Sequence, residues 1–112
     1  MSERDEMIEG LRQAVRVSPN NLPLRLHLAE TLLGLGRPDE AEQEFRSALH
    51  LAPDDAKLKT GLARAFEQQG KSSAAIVVLE ELCKHADAPA RARVLYARLL
   101  VRAGHILSLI HI

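Results

Sequence analysis

Five basic side chains stand at spacings that would let them act together. Lys57 and Arg64 are seven residues apart, Arg91 and Arg98 again seven, and Arg102 lies four beyond. On a helix such intervals return to the same side. Cationic groups arrayed in this way take carboxylates through charge-assisted contacts, bidentate in the case of arginine. The chemistry on offer is recognition of a carboxylate-rich peptide or of a chain's terminal carboxylate. Leu26, Leu33, Val94 and Val101 stand near these positions and could supply apolar pockets. The competing reading is a solvated helix face dressed in arginine, with the aliphatic residues packed on the adjoining helix.

Other chemistries find less support. Gly70-Lys71-Ser72 resembles the end of a phosphate-binding loop, but that motif needs a glycine five places earlier, where Ala65 stands, and a strand rather than a helix before it. A turn between helices explains it. His27, His50, His85, His105 and His111 include no pair three or four apart, so neither a metal nor any other cofactor is expected. The serines fall at helix starts and turns, and Cys83 sits on a core stripe beside Leu82, leaving no nucleophile with a base and an orienting group. Nucleic-acid binding would call for more cations and for aromatic stacking surfaces, and Tyr96 is expected in the core. The chain reads as a binding protein and not as an enzyme.

The elements that would position the basic groups follow from a repeat. Leu28-Ala29 with Leu32 and Gly36 returns as Leu62-Ala63 with Phe66 and Gly70, and again as Tyr96-Ala97 with Leu100 and Gly104, each 34 residues after the last. Large apolar, alanine, large apolar and closing glycine describe one face of a helix and its C-terminal stop. A fixed period of this length signals stacked helical hairpins. Composition agrees, since hydrophobic residues make up 46% of the chain and aromatics only 3%, a balance that favours small-and-aliphatic helix packing over sheets. The 112 residues suffice for one domain. Formal charge sums to zero, but residues 1–55 carry eleven acidic and six basic groups and residues 56–112 four acidic and nine basic. The halves are thus −5 and +5.

Six helices are expected, at 5–17, 22–35, 38–51, 56–69, 72–84 and 90–103. Their inward stripes are Met7, Leu11, Ala14 and Val15; Leu24, Leu28, Leu32 and Leu35; Ala41, Phe45, Ala48 and Leu49; Leu58, Leu62, Phe66 and the stem of Gln69; Ala75, Leu79, Leu82 and Cys83; and Ala92, Tyr96, Leu100 and Ala103. Gly61 lies inside the fourth helix, where it should cost about 1 kcal/mol relative to alanine. The expectation is a weaker helix, with a close backbone approach as the alternative.

These slots resemble those of tetratricopeptide repeats, in a degenerate, bacterial-type form. In residues 22–55 the matching positions are Leu28, Ala29, Leu32, Ala41, Phe45, Ala48 and Pro53, with Arg25 departing where a large apolar residue is usual. In residues 56–89, Leu62, Ala63, Phe66, Ala75 and Leu79 fit; Lys59, Leu82 and Asp87 depart. The resemblance implies an all-α, right-handed solenoid of antiparallel helix pairs: a half repeat over 5–21, repeats over 22–55 and 56–89, and the first helix of an incomplete repeat over 90–104. It also implies that the first helix of every pair lines a concave side where peptides bind. The residues one place before each core slot then face that side, which adds His27 to Lys57, Arg64, Arg91, Arg98 and Arg102. The lysine-and-asparagine clamp of co-chaperone members is absent, because Gly61 and Leu95 stand where a polar group is needed.

The expected function is a protein-interaction scaffold holding a protein or peptide of acidic character. The alternative is the N-terminal docking or regulatory segment of a larger enzyme, such as an ATPase or peptidase, continuing beyond residue 112. Residues 105–112 carry no charge and fall out of register, so they read as an artefactual or cut end. Tyr96, Leu99 and Leu100 would then be poorly covered and could promote self-association. Neither nucleic acid nor a membrane is expected as a partner. The mixed-charge N-terminus lacks a signal layout, and cytoplasmic residence is the expectation.

Overall fold

Helix starts and stops repeat along the chain as closely as the core slots do. Asn21 caps one helix, its side chain accepting from the Leu24 N–H at 3.2 Å, and Asp55, one period on, accepts from the Leu58 N–H at 3.0 Å. Each such cap is worth about 1 kcal/mol. At the other end Gly36, Gly70 and Gly104 adopt φ of 77°, 77° and 78°, a left-handed conformation open to glycine at little cost. The turn it makes lets Arg37 N–H reach Leu32 C=O at 2.9 Å and Lys71 N–H reach Phe66 C=O at 2.8 Å, closing the helix ends. The computed structural model describes residues 2–104. Among them lie α1 (Glu3–Val17), α2 (Leu22–Gly34), α3 (Pro38–Leu51), α4 (Ala56–Gln68), α5 (Ser72–Cys83) and α6 (Ala90–Arg102), and no strand. The out-of-register segment 105–112 lies outside the described residues.

Each helix packs on the next, and second neighbours touch only along α2, α4 and α6. Those three helices form one layer and α1, α3 and α5 the other. Backbones close together in one layer and apart in the other mean that the stack curves toward α2, α4 and α6. Across the wider side, long side chains do the bridging: Arg12 on α1 reaches Glu44 on α3 at 3.0 Å and Glu40 at 3.6 Å. Between the layers, Ala29, Ala41, Ala48, Ala63, Ala75 and Ala92 are fully buried and let the helices approach. Leu28, Leu32, Phe45, Leu58, Leu79 and Leu99 fill the remaining volume at 1% exposure or less.

Four expectations from the sequence need correction. Met7 is 47% exposed, and its neighbour Ile8 is buried in its place; the backbone of α1 lies close to that of α2 alone, α3 being reached only by the long Arg12 side chain, so its inward face is turned by one residue from a stripe shared between two neighbours. Ala103 is exposed, lying past the last turn of α6. Leu99 and Leu100 are covered, at 1% and 3% exposure, and Tyr96 is half-buried, because Leu99 faces inward onto the core cluster. Gly61 is a close approach rather than a weak point. A Cβ built on it would lie 2.2 Å from Cε1 of Phe45 and 2.4 Å from Cζ, so the ring of α3 occupies the space that any side chain on α4 would need.

One carboxylate is tied into this interface. Glu42, its side chain 14% exposed, accepts from Gln69 Nε2 at 2.9 Å, from Arg46 Nε at 2.9 Å and from Lys71 Nζ at 3.3 Å. Burial alone would raise its pKa, but the three hydrogen bonds together outweigh that and hold it below the usual carboxylate range. Glu40 is held low as well, by its hydrogen bond from Arg37 and against a smaller opposing effect of burial. A carboxylate whose pKa is lower folded than unfolded stabilises the fold above the unfolded value, and that contribution disappears as pH falls through the folded one. Urea midpoints should therefore hold steady from neutral pH to the ordinary carboxylate range and fall below it. Glu42→Gln should lower the neutral-pH midpoint and flatten the acid limb; an unchanged acid limb would contradict this assignment.

Candidate partner-binding face

The inner layer presents two adjoining clefts. The first, about 340 Å³, runs between α2, α4 and α6 and is lined by Leu26 and Glu30 from α2, by Lys57, Thr60, Gly61 and Arg64 from α4, and by Pro89 and Arg91 at the start of α6. The second, about 580 Å³, lies between α4 and α6 and is lined by Arg64, Glu67 and Gln68 on one wall and by Arg91, Val94, Leu95 and Arg98 on the other. Arg64 and Arg91 border both. Local sequence explains this placement. The Asp55 cap starts α4 just before Lys57, and Pro89 starts α6 just before Arg91, with no side-chain cap. Two first-turn cations thus stand at helix N-termini, whose dipoles add to the positive field.

The cations differ in how much charge is left to offer. Glu67, its side chain 18% exposed, accepts from Arg98 Nη2 at 3.0 and 3.2 Å and from Arg102 Nη1 at 3.1 Å. One carboxylate thereby compensates two arginines. Lys57, Arg64 and Arg91 have no ion-pair partner within 4.0 Å among the described residues. Glu30 stands among them as the single acid that lines the first cleft among the described residues. The floor is satisfied internally, since buried Thr60 donates from Oγ1 to Ala56 C=O at 2.7 Å. An extended chain laid here would meet positive charge at three places and the apolar edges of Leu26 and Val94 between them.

Comparison with known proteins agrees with the helical register. The tetratricopeptide repeat family model matches residues 8–65, which is more than half of the chain. The chain belongs to the tetratricopeptide repeat family. Repeats of this family mediate protein–protein interaction. A mouse protein, interferon-induced protein with tetratricopeptide repeats 3, is 30% identical over 77 residues, covering 69% of this chain and 19% of the mouse protein. The chain thus spans about a fifth of the length of that relative. No described helix of the tetratricopeptide repeat chain is long and apolar enough to cross a membrane.

Within the repeat fold, Lys57, Arg64, Arg91 and Arg98 come together around the two clefts. Arg102 joins them only through Glu67, and His27, exposed on α2, lines neither. Of the aliphatic residues, Leu26 and Val94 reach the clefts, Leu33 is in the core at 3% exposure, and Val101 is exposed outside both. Sequence reading missed Glu67 as a counterion. Its signal was available: one period back from Arg98 stands Arg64, and Glu67 is three residues beyond it, a helical neighbour on the adjacent repeat.

The cysteine and the tyrosine are quiet by comparison. Burial pushes the Cys83 thiol up, against a smaller pull from Arg93, a direction that favours the thiol over the thiolate. Tyr96 is raised chiefly by burial as well.

Proposed function

We propose that this repeat protein holds an acidic peptide segment of a partner protein in the cleft between α2, α4 and α6. The observation that carries this reading is the set of three cations, Lys57, Arg64 and Arg91, that have no ion-pair partner among the described residues and stand around a cleft with apolar edges. Arg64 and Arg91, bordering both clefts, are the principal contacts. Lys57 takes a carboxylate at one end, and Arg98 and Arg102, shared with Glu67, add a weaker positive rim. Glu30 sets polarity, repelling an acid beside it and accepting from a donor of the peptide. The cleft would serve in the same way whether the chain acts as a free scaffold or as the docking segment of a larger protein.

Each desolvated charge-assisted contact is worth roughly 1.5–3 kcal/mol, so Arg64→Glu and Arg91→Glu should each weaken an acidic peptide by about tenfold or more. The check is a titration of the isotope-labelled chain with a decapeptide alternating glutamate and leucine. Amide shifts should concentrate at Thr60, Gly61, Arg64 and Arg91 and shrink in salt, which screens exposed charge pairs. Shifts spread over α1 and α3, or binding unaffected by both substitutions, would remove the cleft as the site.

A further inference from the structure

Arg64 and Arg98 occupy the same place in successive repeats, one period apart, yet only Arg98 has an ion-pair partner among the described residues. The difference lies on the helix before each. Arg98 on α6 meets Glu67 on α4, whereas the position one period before Glu67 is Leu33 on α2, in the core at 3% exposure. Arg64 therefore meets no carboxylate there. A single repeat position, leucine in one copy and glutamate in the next, decides which of the two arginines has charge to offer.

Its own helix does not favour Glu67 at that position. It stands in the last turn of α4, where the helix dipole is negative and an acid is unfavourable. What compensates is α6. Arg98 and Arg102 are four residues apart and share one side of that helix. Arg98 Nη2 donates to Oε1 at 3.2 Å and to Oε2 at 3.0 Å, and Arg102 Nη1 donates to Oε2 at 3.1 Å. Glu67 lines the second cleft together with Arg98, so the chain's own carboxylate already stands where a carboxylate of a ligand would have to go. The apolar side chain left open on that wall is Val94, 63% exposed.

We infer that Glu67 is the specificity-determining residue of the peptide site: it holds Arg98 and Arg102 and repels acids of the ligand from the second cleft. This rests on the acidic-peptide reading above and narrows it. The segment selected carries its acids at one end, against Lys57, Arg64 and Arg91, and uncharged aliphatic residues at the other, over Val94 and Glu67. A segment acidic along its whole length meets Glu67 and loses affinity by like-charge repulsion.

The test is a titration of the isotope-labelled wild-type chain and of Glu67→Gln with the decapeptide alternating glutamate and leucine, read from the amide and arginine Nε–Hε signals. Thermal melts show that the variants fold, and Glu67→Ala serves if Glu67→Gln does not. In the wild type the signals of Arg64 and Arg91 should shift far more than those of Arg98 and Arg102. Glu67→Gln should bind about fivefold more tightly, the upper end for an exposed ion pair gained, with Arg98 and Arg102 now shifting as well. Adding Arg98→Gln and Arg102→Gln to Glu67→Gln should remove that gain. A peptide that shifts Arg64 and Arg91 of the wild type but binds Glu67→Gln no more tightly overturns this inference and leaves the acidic-peptide cleft standing. So does a gain that survives the loss of both arginines. A peptide that binds neither chain overturns both.

Discussion

Phe45→Ala should remove about 3–5 kcal/mol of stability, the range for deleting a buried aromatic ring and leaving a cavity. Phe45 is fully buried on α3, and α3 packs on both α2 and α4. The ring therefore ties two hairpins together, and its loss affects an interface as well as a core. For a domain with a total stability of roughly 5–15 kcal/mol, this is enough to shift the urea midpoint strongly and to leave part of the chain unfolded at physiological temperature. Phe45→Leu, which keeps most of the volume, should cost less than about 1.5 kcal/mol. Equal midpoints for Phe45→Ala and wild type would mean that the α3–α4 interface does not depend on this ring.

The second large effect runs against helix propensity. Gly61→Ala in an exposed helix would add about 1 kcal/mol of stability. Here the added methyl meets Cε1, Cζ and Cδ1 of Phe45 at 2.2, 2.4 and 2.9 Å. Because that ring is fully enclosed, it has nowhere to retreat, and overpacking of this kind costs about 1–3 kcal/mol. The net outcome should be destabilisation. A double-mutant cycle isolates the cause: in a Phe45→Leu background, which lacks the outer ring atoms, Gly61→Ala should cost less or stabilise. A stabilising Gly61→Ala in the wild-type background would show that α3 and α4 do not approach as closely as described.

That pair also marks where the sequence stops being informative. The 34-residue return of Leu28, Leu62 and Tyr96, and of Gly36, Gly70 and Gly104, declares the helices, their stops and their stacking, because each repeat must solve the same local problem. Gly61 breaks the pattern for a reason outside its own helix. The size of the group it meets is encoded on α3, sixteen residues earlier. Helical periodicity within α4 does not carry that information. Met7 and Ile8 went astray through a related limit, since the inward face of a terminal helix is set by one neighbour rather than two.

The candidate site was legible to a similar depth. Spacing alone put Lys57, Arg64, Arg91 and Arg98 on one side, and the curvature toward α2, α4 and α6 gathers them around the clefts. Spacing did not separate cations with charge to offer from those already paired. Arg98 looks equal to Arg64 along the chain, yet it leans on Glu67 of the preceding repeat. Folding the sequence at its own period would have exposed that pairing, whereas the exposure of His27 away from both clefts depends on how α2 is rotated in the stack.

The most direct test of the acidic-peptide cleft is a selection of random peptides displayed on phage, run in parallel on the wild-type chain and on a folded Arg64→Glu, Arg91→Glu double variant. Wild type should enrich peptides rich in aspartate and glutamate with interspersed leucine or valine, and the double variant should lose that preference and turn toward lysine and arginine. The same peptides enriched by both proteins would contradict the account and return Lys57, Arg64 and Arg91 to an ordinary solvated helix face.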